Sequence, residues 1–175
     1  RTFGSLYDYT TLCILAFSFF FAWMFAVGTN DIVDQHSDAI SNTNRPLVTG
    51  TLTRSDIEHS NLICLGAALL GGYLVGHYAF FCIIAFTAIY YVYSIPPLQL
   101  KRFVGINSFL ISLAMLSAVL AGFYTLSGRG DLGAFPREWI FLIIGIYTLL
   151  ANVKDIKDID GDRAVSVYTI PVLLG

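Results

Sequence analysis

Charged residues are scarce in this sequence: Asp, Glu, Lys and Arg make up only 13% of its 175 residues. Soluble domains usually carry about 25%, whereas here hydrophobic residues reach 56% and the mean hydropathy is +0.70. A water-soluble protein is therefore excluded. The 14 Phe and 10 Tyr residues also exclude a disordered chain, because so much apolar surface does not stay solvated. The sequence predicts a membrane protein.

Cysteine and basic residues are few as well. The three Cys, an odd number, all lie inside apolar runs, so they indicate neither a disulfide framework nor a metal site. The formal net charge is −2 and no basic stripe with interleaved aromatic residues occurs, which excludes nucleic acid as a partner. The chain begins without Met and ends directly after an apolar stretch, and we expect it to be part of a longer protein.

Long apolar segments, in contrast, are plentiful. A membrane-spanning helix needs about 20 largely apolar residues. Five segments approach that length: 10–29, 60–76, 78–95, 104–126 and 136–153. They are too long and too uniformly apolar for the alternating strands of a membrane barrel. The predicted fold class is all-α, a polytopic transmembrane helix bundle.

Only Gly76 and His77 separate the second and third of these segments, which predicts a tight antiparallel hairpin. Gly72 and Gly76 would allow close helix approach there, or would simply be tolerated in a membrane helix.

Successive spans cross the membrane in opposite directions, so the connections between the five spans alternate between its two sides. Connections 30–59, 96–103 and 154 onward share one side, and that side holds seven of the ten Lys and Arg residues. Basic residues accumulate in cytoplasmic loops. We therefore expect an integral, multi-pass membrane protein with this side in the cytoplasm.

Two acidic triplets of identical spacing lie on that side. They are Asp31, Asp34 and Asp38, and, 124 residues later, Asp155, Asp158 and Asp162. On a helix, spacings of three and four put each triplet in one column, where like charges repel. This unfavourable arrangement indicates a bound cation, and oxygen donors without His or Cys at matching spacing suit Mg²⁺. Two such columns facing each other at the mouth of an apolar bundle would hold an isoprenoid diphosphate.

Other interpretations of these acids stay open. The Asp side chains would also serve simply to solvate helix ends. Ionisable groups near membrane helices often mark an ion path, which would make the protein a cation or proton transporter. An intramembrane aspartyl protease, with two catalytic Asp on facing helices, is the third alternative. Sensitivity to chelation separates a metal-dependent transferase from such a protease.

Three motifs, in chain order, resemble those of the UbiA superfamily of intramembrane prenyltransferases. The first motif is Asn30-Asp31-x-x-Asp34-x-x-x-Asp38, followed by Asn44-Arg45-Pro46-Leu47 and Gly50. The second is the loop from Tyr93 to Arg102. The third is Asp155-x-x-Asp158-x-x-Gly161-Asp162-Arg163, followed by Thr169-Ile170-Pro171. The resemblance implies one partial domain over 1–175, with about five of an expected nine membrane helices. The motif wording is closest to digeranylgeranylglyceryl phosphate synthases and chlorophyll-synthase-like members.

The resemblance also implies roles for individual residues. The six Asp residues of the two triplets would hold Mg²⁺ on the diphosphate, with Asp34 and Asp158 essential for turnover. Asn30 would orient the first column or touch the diphosphate, and Arg45 would belong to a structural or phosphate-binding turn. Lys101 and Arg102 would bind the leaving group, or serve only as positive charge at the end of a span. Tyr93 would stabilise an allylic cation, or mark the membrane interface.

The implied activity is Mg²⁺-dependent transfer of a prenyl group from a polyprenyl diphosphate to a lipophilic acceptor at the lipid bilayer. The acceptor would be an aromatic ring, a quinone precursor, a chlorin or a prenylated glycerol phosphate, and the sequence does not decide among them.

Overall fold

A computed structural model describes residues 6–127, 132–156, 159–164 and 167–174, and for residues 6–8, 132, 154 and 155 it describes the backbone alone. Within these ranges the chain forms helices and no strands. The α-helices are α1 Leu6–Ser41, α2 Pro46–Thr49, α3 Arg54–Val75, α4 His77–Ser94, α5 Ile106–Ser127, α6 Arg137–Asp155, α7 Ile159–Ala164 and α8 Ile170–Leu174, with 3₁₀ turns at Leu100–Arg102 and Leu132–Ala134. The predicted all-α fold class is confirmed.

Helices occupy all five predicted spans. In the part of the chain that the structure describes, three stretches are long and apolar enough to cross a bilayer: Tyr9–Ser41, His77–Ser94 and Ile106–Ser127. The outside of the bundle is apolar, since Phe17, Leu62, Phe81 and Phe141 are each at least 64% exposed. Exposed apolar surface of this extent suits contact with lipid. That five helices, α3 and α6 among them, cross the membrane stays a prediction.

Small residues allow the helices to pack closely in the middle of the bundle. Ala22 of α1, Ala68 of α3 and Ala114 of α5 are completely buried around Ile83 and Phe86 of α4. Packing between membrane helices relies on such small side chains, because lipid tails are as apolar as the protein. α1 packs against α3, α4 and α7, and α5 packs against both α4 and α6. The acidic helix α1 therefore lies at the centre of the described fold.

The α3–α4 hairpin turns at Gly76, as predicted. Gly76 has φ 142°, a backbone conformation that favours glycine. Gly72 makes the close approach: a Cβ there would lie 2.7 Å from Cδ1 of Ile83 and 3.2 Å from Cα of Phe80. The two glycines thus have different reasons to be present, one conformational and one steric.

Gly72→Ala is expected to destabilise the protein by about 1–3 kcal/mol, because the added methyl group overpacks the contact between α3 and α4. The measurement is the thermal unfolding midpoint of the detergent-solubilised protein. Gly66→Ala on the same helix is the matched control, since a Cβ at Gly66 meets nothing within 4 Å. Equal midpoints for the two variants would contradict this packing.

Two helices are longer than the apolar runs predicted. α1 continues to Ser41, twelve residues past the predicted end at 29, so the first acidic triplet lies on the membrane helix itself. α3 begins at Arg54 because Thr53 and Asp56 form a capping box. In it, the Thr53 hydroxyl accepts from the Asp56 backbone N–H at 3.2 Å, and Asp56 Oδ2 accepts from the Thr53 N–H at 2.8 Å. The hydrogen bonds from Thr53 lower the pKa of the Asp56 carboxyl.

Candidate active site

A polar pocket lies beside the C-terminal end of α1, where three distant stretches of chain, 30–45, 93–101 and 161–169, meet. Its lining residues are Asn30, Asp34, Ser37, Asp38, Ser41, Asn42, Arg45, Tyr93, Lys101, Gly161, Asp162, Val167 and Thr169. The three connections that the span parity placed on one side therefore do come together. Seven of these residues, at positions 30, 34, 38, 45, 93, 101 and 162, were predicted as site residues from the sequence.

The centre of the pocket is a hydrogen-bonded group around Asn30 and Asp34. Nδ2 of Asn30 donates to Oδ2 of Asp34 at 2.7 Å, and Oδ1 of Asn30 accepts from Nζ of Lys101 and from Oγ of Ser94, both at 3.2 Å. Lys101 Nζ also donates to Oδ1 of Asp34, forming a salt bridge. Both carboxylate oxygens of Asp34 are thus engaged by side chains of the protein.

The loop after α4 places Lys101 in the pocket. Gln99 precedes the 3₁₀ turn with φ 38°, a left-handed conformation uncommon for a residue other than glycine, and it is buried. Successive residues of a 3₁₀ turn point about 120° apart. Lys101 accordingly points inward and is only 5% exposed, whereas Arg102 is exposed and does not line the pocket. The predicted diphosphate contact of Arg102 stays a prediction.

Arg45 holds the outer acids of the first triplet. Its Nη1 lies 2.8 Å from Oδ1 of Asp31, and its Nε lies 3.9 Å from Oδ2 of Asp38. Asp38 Oδ1 also accepts from Nδ2 of Asn42 at 2.8 Å. Asp31 is about 60° around the helix from Asp34 and faces Arg45 rather than the pocket. Its predicted role as a metal ligand stays a prediction.

The second acidic segment docks on α1 through Gly161. Its backbone N–H donates to Oγ of Ser41 at 2.7 Å, and a Cβ at Gly161 would lie 2.8 Å from the carbonyl oxygen of Ser37. Only glycine allows this approach of α7 to α1, and it brings the next residue, Asp162, into the pocket. Asp158 and the side chain of Asp155 lie outside the described residues, so their predicted metal binding stays a prediction.

Tyr93 forms an aromatic part of the pocket wall. It is 8% exposed, and its ring lies 6.1 Å from that of Tyr90, which in turn lies 5.0 Å from that of Phe86. Aromatic faces stabilise cations within about 6 Å. Tyr93 therefore offers an aromatic ring to the pocket, and its predicted role beside an allylic carbon stays a prediction.

The donor atoms of the pocket fit a hard divalent cation. Asp34, Asp38 and Asp162 offer carboxylate oxygens, which Mg²⁺ prefers. With these three ionised against Lys101 and Arg45, the wall carries a net charge of −1, so a diphosphate needs additional positive charge to enter. Among the described residues no three His, Cys, Asp or Glu side chains already form a cluster that holds a metal ion.

Comparison with known proteins gives the family. A family model, the UbiA prenyltransferase family, matches residues 2–175. The chain belongs to this family. Among relatives of this UbiA-family chain, chlorophyll synthase of Oryza sativa subsp. japonica is 28% identical over 157 residues, covering 83% of this chain and 40% of the rice protein. Digeranylgeranylglyceryl phosphate synthase of Pyrococcus furiosus is 25% identical, covering 96% of this chain and 58% of the archaeal protein.

A solved structure gives the same fold. A UbiA homologue from Archaeoglobus fulgidus, bound to DMAPP and Mg²⁺, superposes with a TM-score of 0.83 at 20% identity, covering 99% of this chain and 60% of that one. A likeness at this identity establishes the helical bundle. The chain spans about half the length of its UbiA relatives, from 40% of the rice protein to 60% of the solved chain.

Sequence reasoning missed several polar residues of this UbiA site. Ser37, Ser41, Asn42, Ser94 and Thr169 were not predicted, although Ser37 and Ser41 had a usable signal. At 100° per residue, positions 30, 34, 37 and 41 fall on one face of a helix. Including the uncharged polar residues that share a helix face with Asn30 and Asp34 would have identified both serines.

Proposed function

We propose that this protein transfers a prenyl group from an allylic diphosphate to a lipophilic acceptor at the membrane, with Mg²⁺ as cofactor. The observation that carries the proposal is the pocket in which Asn30 and Asp34 of α1 meet Lys101 of the loop after α4 and Asp162 of α7. The match to the UbiA prenyltransferase family model, and a fold neighbour bound to DMAPP and Mg²⁺, support it.

The proposed reaction breaks the bond between the allylic carbon and the diphosphate oxygen, and the electron pair leaves with the diphosphate. A bond forms between that carbon and the acceptor, which releases a proton. Lys101 donates hydrogen bonds to the departing oxygens, and Asn30 holds Lys101 in place at 3.2 Å. Tyr93 shields the electron-poor carbon from water and offers it an aromatic face.

When bound, Mg²⁺ supplies positive charge that stabilises the diphosphate as a leaving group. Asp34, Asp38 and Asp162 are the described residues that would hold it, and Asp155 and Asp158 would complete the set from the same segment as Asp162. Ser37 and Asn42 add neutral polar atoms to the same wall. The protein thus contributes binding, orientation and a preorganised field around the donor.

We place the pocket at the cytoplasmic face of a partial UbiA domain over 1–175 with five spans, since basic residues concentrate there. The acceptor remains an aromatic ring, a quinone precursor, a chlorin or a prenylated glycerol phosphate. A transporter is less well supported, because Asp31, Asp34 and Asp38 lie in the last three turns of α1 rather than at mid-helix. An aspartyl protease is also less well supported, because Asp34 is paired with Lys101 instead of a second carboxyl group.

The experiment uses membranes containing the full-length protein, radiolabelled geranyl or geranylgeranyl diphosphate, Mg²⁺ and one acceptor of each class. We expect a labelled lipophilic product with one acceptor class, and at least about a tenfold fall in its yield when EDTA replaces Mg²⁺. Membranes without the protein are the control. An unchanged yield in EDTA, or no labelled product with any acceptor, would contradict the proposed function.

A further inference from the structure

Lys101 is a buried cation whose charge is balanced by the acid expected to bind metal. The residue is 5% exposed, and Nζ donates to Oδ1 of Asp34 and to Oδ1 of Asn30. A buried charge is stable only when it is paired and hydrogen-bonded. Asp34 therefore neutralises Lys101, in addition to any role toward a metal ion.

The other cation of the pocket has a different partner. Arg45 lies 2.8 Å from Asp31, which does not line the pocket, and 3.9 Å from Asp38, and its side chain is more exposed than that of Lys101. A metal ion at Asp34 would leave the pairing of Arg45 with Asp31 intact. Of the two cations that line the pocket, Lys101 is therefore the one that a metal ion at Asp34 would displace, together with the neutral Asn30 amide that donates to the other carboxylate oxygen.

A free divalent ion that took Asp34 would leave the Lys101 ammonium buried beside a second positive charge. Repulsion between like charges in a buried site is strong. An incoming diphosphate changes this balance, because its anionic oxygens replace Asp34 as the partner of Lys101. Asp34 is then available to the metal ion that accompanies the diphosphate.

We propose that Lys101 makes metal binding conditional on the diphosphate, so that the pocket accepts a divalent cation together with a diphosphate and rejects the free ion. This inference rests on the proposed function and deepens it, because it names the form in which the ligand is bound.

The test measures Mn²⁺ binding by electron paramagnetic resonance on the protein in lipid nanodiscs. With Mn²⁺ alone, Lys101→Met is expected to bind the ion about tenfold more tightly than the wild type, since Asp34 then has no competing cation. Arg54→Met is the matched control: Arg54 is exposed, pairs with Glu58 on α3, and lies outside the pocket, so its Mn²⁺ affinity should equal that of the wild type.

A second measurement needs no variant. Adding geranyl thiolodiphosphate, an unreactive donor analogue, is expected to raise the Mn²⁺ affinity of the wild type about tenfold, and that of Lys101→Met by clearly less. Wild-type protein that binds Mn²⁺ equally well with and without the analogue would overturn the inference and leave the proposed function standing. Failure of the wild type to bind Mn²⁺ even with the analogue would overturn both.

Discussion

Asp34→Asn is expected to lower prenyl transfer by about 10³-fold, a loss of roughly 4 kcal/mol in transition-state stabilisation. Asn has the shape of Asp but not its charge, so the variant loses the carboxylate that balances Lys101 and that, under the proposed function, would offer an oxygen to Mg²⁺. The measurement is the initial rate of labelled product formation in nanodiscs with saturating donor and Mg²⁺.

Asp160→Asn is the matched control for this variant. Asp160 is exposed on α7 and does not line the pocket, so the same substitution there should change the rate by no more than about twofold. Size-exclusion profiles that match the wild type for both variants would show that the bundle is intact. A wild-type rate for Asp34→Asn would remove Asp34 from the reaction.

Gly161→Ala is expected to lower the same rate on the order of 10²-fold, because misplacing a reacting group by about 1 Å costs that much. The added Cβ would lie 2.8 Å from the Ser37 carbonyl oxygen, which is backbone and cannot rotate away, and it would also collide with Oγ of Ser41. α7 must therefore move off α1, and Asp162 moves with it.

The control for the glycine is Gly145→Ala on α6. Gly145 is exposed and a Cβ there meets nothing within 4 Å, so the rate should stay at the wild-type value. Thermal unfolding midpoints separate a local shift of α7 from general loss of stability. If Gly161→Ala retained full activity, the docking of α7 on α1 would not be required for the reaction.

The helices were predictable from apolar runs where those runs end at polar residues. α4, at His77–Ser94, differs by one residue at each end from the segment predicted at 78–95. α1 and α3 extend much further, because a helix continues through polar residues once its backbone hydrogen bonds are satisfied, and the Thr53 capping box supplies such an end for α3. Hydropathy detects only the apolar part of a helix.

The site was predictable where it depends on the spacing of the Asp residues and on the side of the membrane at which each connection lies. The duplicated triplets and the span count place Asp34, Lys101 and Asp162 at one end of the bundle, and the structure has all three in one pocket. The partner of Asp31 was not predictable, because it depends on how the chain turns back at Arg45 after α1. The contact of Gly161 with Ser41 likewise depends on the docking of two helices far apart in sequence.

The length of α1 bears on where the two products of the proposed reaction would be released. Its 36 residues span about 54 Å at 1.5 Å per residue, whereas the hydrocarbon layer is about 30 Å thick. We therefore expect the last turns of α1, with Asp34 and Asp38, to lie at the headgroup layer, beyond the part of the helix that crosses the hydrocarbon. Under the proposed function, inorganic pyrophosphate would diffuse directly into water and the prenylated product would partition into the bilayer.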